Sequence, residues 1–191
     1  MVKRDDMATI HYAILGLLSE KPMTGYDLKK KMQDSLYMYW SGNNNQIYTA
    51  LLQLSSNDFL KSEIQHQDGA PSKKICFITD KGRDELQEWI YSTQPEVPEF
   101  RKPFLIQMAF AGKLKPAKIE ELLLKYKDEL NSRLIMQQEK QRRIKDIKKN
   151  TKQEKFIENM IFDNIFKFYQ SELEWTQKVL EGVRKNFREE Q

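Results

Sequence analysis

The spacing of its prolines constrains this chain more than any other feature. Four of the six, Pro95, Pro98, Pro103 and Pro116, fall within 22 residues near the middle of a 191-residue sequence. Proline lacks an amide donor and pushes its predecessor towards extended backbone, so no helix or strand can run through Thr93-Gln94-Pro95-Glu96-Val97-Pro98-Glu99. The chain must fold in two parts. We read residues 1–94 as one domain, 95–103 as a linker and 104–191 as a second domain.

Before the linker, the apolar pattern gives three helices, a two-stranded ribbon and a fourth helix. Ile10, Ile14, Leu17 and Leu18 recur at helical spacing within Met7–Ser19. Glu20 to Gly25 reads as a turn in which Thr24 can cap a helix from Tyr26 to about Gln33. A third helix carries Ile47, Tyr48, Leu51, Leu52 and Leu54. It stops at Asn57-Asp58, residue types that tolerate the left-handed conformation. Phe59–Gln65 and Lys73–Ile78 read as strands joined by the turn Gln67–Pro71. Thr79 then caps a helix from Asp80 to about Tyr91, with Leu86, Trp89 and Ile90 on one face. Three helices and then a ribbon is the order of a winged helix-turn-helix.

After the linker the pattern is purely helical, so the fold class is mainly α. Phe104–Lys113 is a short helix. Pro116 to about Lys149 is a long one, with Ile119, Leu123, Tyr126, Leu130, Leu134, Gln137, Gln141 and Ile144 forming a coiled-coil-like seam. Phe156 to about Phe187 is a second long helix, expected to run antiparallel to it. Its apolar stripe, from Met160 and Ile161 to Leu180 and Val183, is wider than one neighbouring helix needs. A second copy of the chain is the expected cover, which makes this a three-helix dimerisation domain.

Much chemistry is excluded by what the sequence lacks. The seven glycines never fall two apart, so no dinucleotide or phosphate-cradling loop can be written. The single cysteine, Cys76, rules out an internal disulfide and a zinc site built on cysteine pairs. His11 and His66 have no second ligand at metal spacing. We expect no catalytic residue, no metal and no cofactor. The uncharged run Met7–Ser19 has 13 residues, against about 20 for a membrane-spanning helix, and the N-terminus lacks the features of a signal peptide. The expected compartment is the cytoplasm, with no membrane partner. The net charge of +4 does not by itself argue for nucleic acid. Residues 1–94 hold 11 Lys/Arg against 12 Asp/Glu, whereas residues 95–191 hold 21 against 16. Any DNA contact by the first domain must depend on where its charges sit.

Four segments resemble the PadR family of transcriptional regulators: Ile14-Leu15-Gly16-Leu17-Leu18, Met23-Thr24-Gly25-Tyr26-Asp27-Leu28, Gln46-Ile47-Tyr48-Thr49-Ala50-Leu51 and Ile78-Thr79-Asp80-Lys81-Gly82-Arg83. Phe104 to Gly112 is similar to the first segment of the helical dimerisation domain of the family's longer branch. The resemblance implies a homodimeric regulator of repressor type that binds double-stranded operator DNA and is relieved by a small aromatic effector. Two other readings stand beside it: a regulator with no ligand, and a helical adaptor that uses the winged domain to bind protein. The chain departs from the family at Asp58, where glycine is usual.

The site residues follow from that frame. The third helix carries no lysine or arginine between Asn43 and Asn57. Its polar face offers Asn43, Asn44, Asn45, Gln46, Thr49, Gln53 and Ser56. Asn44 and Gln46 are the expected base readers, since amides pair bidentately with adenine; the competing reading is that they cap the helix. Tyr48 either fills the core or offers its hydroxyl to a phosphate. Phosphate contacts fall to Lys73 and Lys74 on the wing, and to Lys29 in the run Lys29–Lys31, which reads equally well as a solvated face. Trp89, Phe104, Met108 and Tyr126, with Phe110, either line an effector pocket or form ordinary core. The basic stretch from Arg142 to Lys155 reads as a soluble hairpin tip rather than a second anionic contact.

Overall fold

A computed structural model of the chain describes residues 7–35, 37–38, 44–67, 70–97, 102–145 and 151–187. The chain divides into two compact units, 1–97 and 98–191. The elements of the first are α1 (Thr9–Glu20), β1 (Met23–Thr24), α2 (Gly25–Asp34), α3 (Asn44–Ser56), β2 (Leu60–Gln67), β3 (Ala70–Ile78) and α4 (Asp80–Ser92). Those of the second are α5 (Pro103–Phe110), a 3-10 turn (Ala111–Lys113), α6 (Pro116–Lys145) and α7 (Lys152–Phe187).

The core of the first unit is built on α1. Ile10, Ile14, Leu15, Leu17 and Leu18 are buried there with Leu28 and Met32 of α2, and with Ile47, Ala50, Leu51 and Leu54 of α3. Two threonine caps fix the helix starts. Thr24 and Asp27 form a reciprocal capping box at α2, and Thr79 Oγ1 accepts from the Gly82 amide at α4. The wing differs from the expected ribbon in two ways. Its strands are longer, and it has a third strand, because Met23-Thr24, read from sequence as a turn, pairs antiparallel with Cys76 and Ile75 in the order β1-β3-β2. A two-residue strand leaves no local pattern; its partner residues, Cys76 and Ile75, lie more than 50 positions away.

In the second unit, α6 and α7 pack along their length, and α5 closes one end of the hairpin. Ala111, Ile119, Leu123, Leu180 and Val183 are buried together, with Phe104, Met108 and Val179 packed against them. The expected seam of α6 is seen at Ile119, Leu123 and Leu130, which are buried, whereas Ile144 lies outside the residues described side chain by side chain. Arg184 Nε donates to Glu120 at 2.8 Å, and Lys127 Nζ donates to Gln177 at 2.7 Å across the hairpin.

Candidate nucleic-acid interface

The third helix ends in a Schellman motif. The Phe59 amide donates to the Leu54 carbonyl at 3.0 Å and the Asp58 amide to the Ser55 carbonyl at 3.1 Å, with Asp58 between them at φ 60°. The left-handed residue expected at this stop is therefore present, and it is an aspartate. Just beyond it the chain passes so close to α4 that a Cβ on Gly82 would sit 2.1 Å from the Phe59 carbonyl oxygen. Only glycine fits there.

With its end held, α3 turns one face outward. Asn45, Gln46 and Thr49 are exposed on this face. Asn44 opens the helix, but its side chain, like all of Asn43, lies outside the described residues. Tyr48 and Leu52, both counted among the apolar residues of this helix, are 53% and 67% exposed. Helical periodicity alone cannot tell the face that meets the core from a face left bare. Tyr48 does not fill the core; its ring lies against the start of α2, where a Cβ on Gly25 would come within 2.9 Å of Cε1. Gln53, part of the same polar face in the sequence, turns inward and pairs with His11 at 2.6 Å.

Register separates the two wing lysines. Lys74 lies opposite Ile64 and Lys73 opposite Gln65. Because side chains alternate, Lys74 shares the face of Cys76 and Ile78, whereas Lys73 shares that of Ile75 and Thr24. Both lysines are exposed. The hydroxyl of Thr24 donates to Asp27 at 2.7 Å and holds that carboxyl below the usual range, with the charges of Lys73 and Lys21 adding to the effect. Lys73 therefore stands on the face of the wing nearer Asp27. On α2, Lys29 is half-buried, while Lys30 and Lys31 line a shallow groove of about 390 Å³ together with Asp27 and Asp34.

Of the aromatic residues expected at an effector pocket, Trp89, Phe104 and Tyr126 are packed within their own units, whereas Phe110 is 64% exposed. Trp89 stacks on Tyr12 with ring centroids 4.5 Å apart. Phe104 stacks on Tyr126 at 3.7 Å and meets Trp175 edge-on at 6.2 Å. The Tyr126 hydroxyl donates to Glu172 at 2.8 Å, and Lys102 donates to the other oxygen of that carboxylate at 2.7 Å. Burial first, and then Glu172, pushes the phenol up to about 12. Met108 packs against the cluster around Leu123 and Leu180. Ile90, grouped by its spacing on one face of α4 with Leu86 and Trp89, is 66% exposed. Among the described residues no three His, Cys, Asp or Glu side chains are grouped to hold a metal, and no helix is long and apolar enough to cross a membrane.

Residues 14–88 match the model of the transcriptional regulator PadR-like family, and residues 100–184 match that of the virulence activator alpha C-terminal region. The negative transcriptional regulator PadR of Bacillus subtilis (strain 168) is 31% identical over 127 residues, which span 66% of this chain and 68% of the relative. The crystal structure of Bacillus subtilis PadR in complex with operator DNA has a TM-score of 0.80 at 22% identity, covering 92% of this chain and 99% of that one. The same protein in complex with p-coumaric acid gives 0.74 at 21% identity, covering 95% and 98%. The PadR-like regulator BC1756 of Bacillus cereus gives 0.76 at 26% identity, covering 95% and 99%. These relatives are regulators of transcription and not enzymes, and the winged helix-turn-helix seen here is of that class. The chain belongs to the PadR-like family of transcriptional regulators.

Proposed function

We propose that the chain is a homodimeric repressor that binds a near-palindromic operator in double-stranded DNA. The observation that carries this reading is the surface of the first unit. An outward face of α3 bearing amides and a threonine, with no cation on it, stands in one fold with an exposed lysine pair on the wing. In this reading Asn44, Gln46 and Thr49 meet base edges. Tyr48, Lys29, Lys73 and Lys74 meet the phosphates that hold the helix in the major groove. The similar architecture of the PadR–operator complex supports it.

Dimerisation is assigned to the second unit, where Phe156, Ile157, Met160 and Phe168 of α7 are each about half exposed or more. A small aromatic effector, for which the p-coumaric acid complex of a relative gives the precedent, would act on the second unit at Phe104, Met108 and Tyr126, while Trp89, also expected there from the sequence, stacks on Tyr12 in the first unit. The protein would work in the cytoplasm, where such DNA lies.

A fluorescence titration of the full chain with its own promoter DNA, against random duplex, tests the reading. Preference for the promoter, relaxed at particular base pairs by Gln46→Ala by roughly 1–3 kcal/mol, is the expected result. Equal affinity for both duplexes would favour a protein-binding adaptor.

A further inference from the structure

The core of α1 holds one residue that apolar packing does not explain. His11 is 5% exposed, in a helix whose other buried positions are Ile10, Tyr12, Ile14, Leu15, Leu17 and Leu18. A buried imidazole is tolerated only when its ring nitrogens are engaged. Nδ1 lies 3.0 Å from the carbonyl of Ala8, the N-cap residue of α1, and Nε2 lies 2.6 Å from Oε1 of Gln53, 42 residues on in α3.

Gln53 is placed to matter. At about 100° per residue, Gln46 and Gln53 fall about 20° apart around the axis of α3, with Gln53 between the directions of Gln46 and Thr49. The stripe that presents two exposed polar residues to solvent therefore ends, further along the helix, in a side chain tied to α1. The contacts of α3 with the core through Ile47, Ala50, Leu51 and Leu54 are apolar and non-directional, and the hydrogen bonds from Lys81 to Asn57 and from Thr79 to Asp58 hold the chain just past its C-terminal end. The hydrogen bond between His11 and Gln53 is directional, because it weakens steeply with misalignment. Its α1 end is fixed in turn, since Tyr12, the next residue, stacks on Trp89 and donates to Glu85 at 3.2 Å.

We infer that His11 and Gln53 are positioning residues for α3: the link between them sets the roll of the helix, and through it the sequence selectivity of Gln46 and Thr49. The inference rests on the reading of α3 as the base-reading helix. Gln53 then touches no DNA. Loss of the link leaves the phosphate contacts in place, so binding to random duplex and its salt dependence persist while discrimination falls.

Two substitutions at His11 separate its two bonds. His11→Asn keeps a nitrogen near the position of Nδ1 and loses the reach to α3, whereas His11→Gln keeps a nitrogen near that of Nε2. The full-length protein is first used to enrich a duplex from a randomised pool. Affinities of wild type, His11→Asn, His11→Gln, Gln53→Ala and the double variant His11→Asn/Gln53→Ala are then measured for that duplex and for random DNA, with melting recorded for each. The expected result is a fall in the selectivity ratio of about tenfold, the scale of one base contact, in His11→Asn and in Gln53→Ala. The double variant should fall no further, and His11→Gln should keep most of the ratio. If His11→Asn melts too low to assay, Gln53→Ala against His11→Gln carries the same comparison. Gln53→Ala losing selectivity while His11→Asn keeps it would make Gln53 a direct reader and overturn the inference. So would an unchanged ratio, or an equal loss on both duplexes. A pool that enriches no sequence would instead overturn the base-reading role of α3, and the inference with it.

Discussion

Lys81, in the first turn of α4, donates a hydrogen bond of 2.8 Å to the carbonyl of Asn57, where α3 ends. The same ammonium lies 5.2 Å from the ring centroid of Phe59. Asn57 is 6% exposed, so that carbonyl has little access to water as a substitute. Lys81→Met should therefore cost about 1 kcal/mol, read as a shift in the urea midpoint with unchanged slope. No shift would mean that the last turn of α3 holds itself.

Asp58 gives the opposite sign. Its φ of 60° is a conformation that glycine adopts freely and an aspartate only at a cost. Its backbone, not its side chain, makes the contacts seen here: the amide bonds Ser55, and the carbonyl accepts from the Thr79 hydroxyl at 2.7 Å. Asp58→Gly should raise stability by about 0.5–1 kcal/mol in the same unfolding assay, the cost of a left-handed L-residue less the extra entropy glycine loses on folding, with DNA binding unaltered. Destabilisation would show that the carboxylate does something the geometry does not reveal.

The capping box at α2 predicts a pH dependence. The Asp27 carboxyl is held below 3.8 by its bond from Thr24, and the charges of Lys73 and Lys21 add to this. A folded-state value below the unfolded one means that the stabilisation is complete above about 3.8 and is lost as pH falls through the folded value. Asp27→Ala should cost about 0.5–1 kcal/mol at pH 7, a modest figure because the site is exposed. The gap between the two proteins should close below pH 3.8. A gap that widened in acid would reverse the sign and refute the assignment.

On the wing, register makes the two lysines unequal. Each phosphate neutralised contributes about −0.9 to the slope of log K against log salt. Removing both lysines from both wings of a dimer should flatten that slope by about 2 to 4. Lys74→Ala alone should account for more of the change than Lys73→Ala, because Lys73 lies on the face that carries Thr24 and its charge acts on Asp27. Selectivity should survive in all three variants. A slope that does not move in the double variant would remove the wing from the interface.

Local chemistry was legible in the sequence and long-range pairing was not. Thr24, Thr79 and Asp58 mark their helix ends by residue type, so the order of helices and ribbon could be read directly. Met23-Thr24 forms a strand only because Cys76 and Ile75 lie beside it. Gln53 resembles Gln46 in type and spacing, and only the distance to His11 separates an anchored amide from a free face. The exposure of Leu52 and Ile90 was hidden for a related reason, since an apolar residue at helical spacing does not announce whether anything covers it. The aromatic cluster around Phe104 and Tyr126 was readable as a cluster. That these two rings stack on each other was not.

Footprinting on the duplex enriched by the full-length chain tests the central claim most directly, because it reads DNA binding and assembly together. A dimer of winged helices reads two half-sites about one helical turn, or a multiple, apart. The expected result is a two-fold symmetric protected region of that spacing. It should be lost, along with most of the affinity, when the chain is cut back to residues 1–97, which light scattering should show as a monomer. A single unsymmetrical footprint, or an equal footprint from the 1–97 fragment, would contradict the dimeric operator reader.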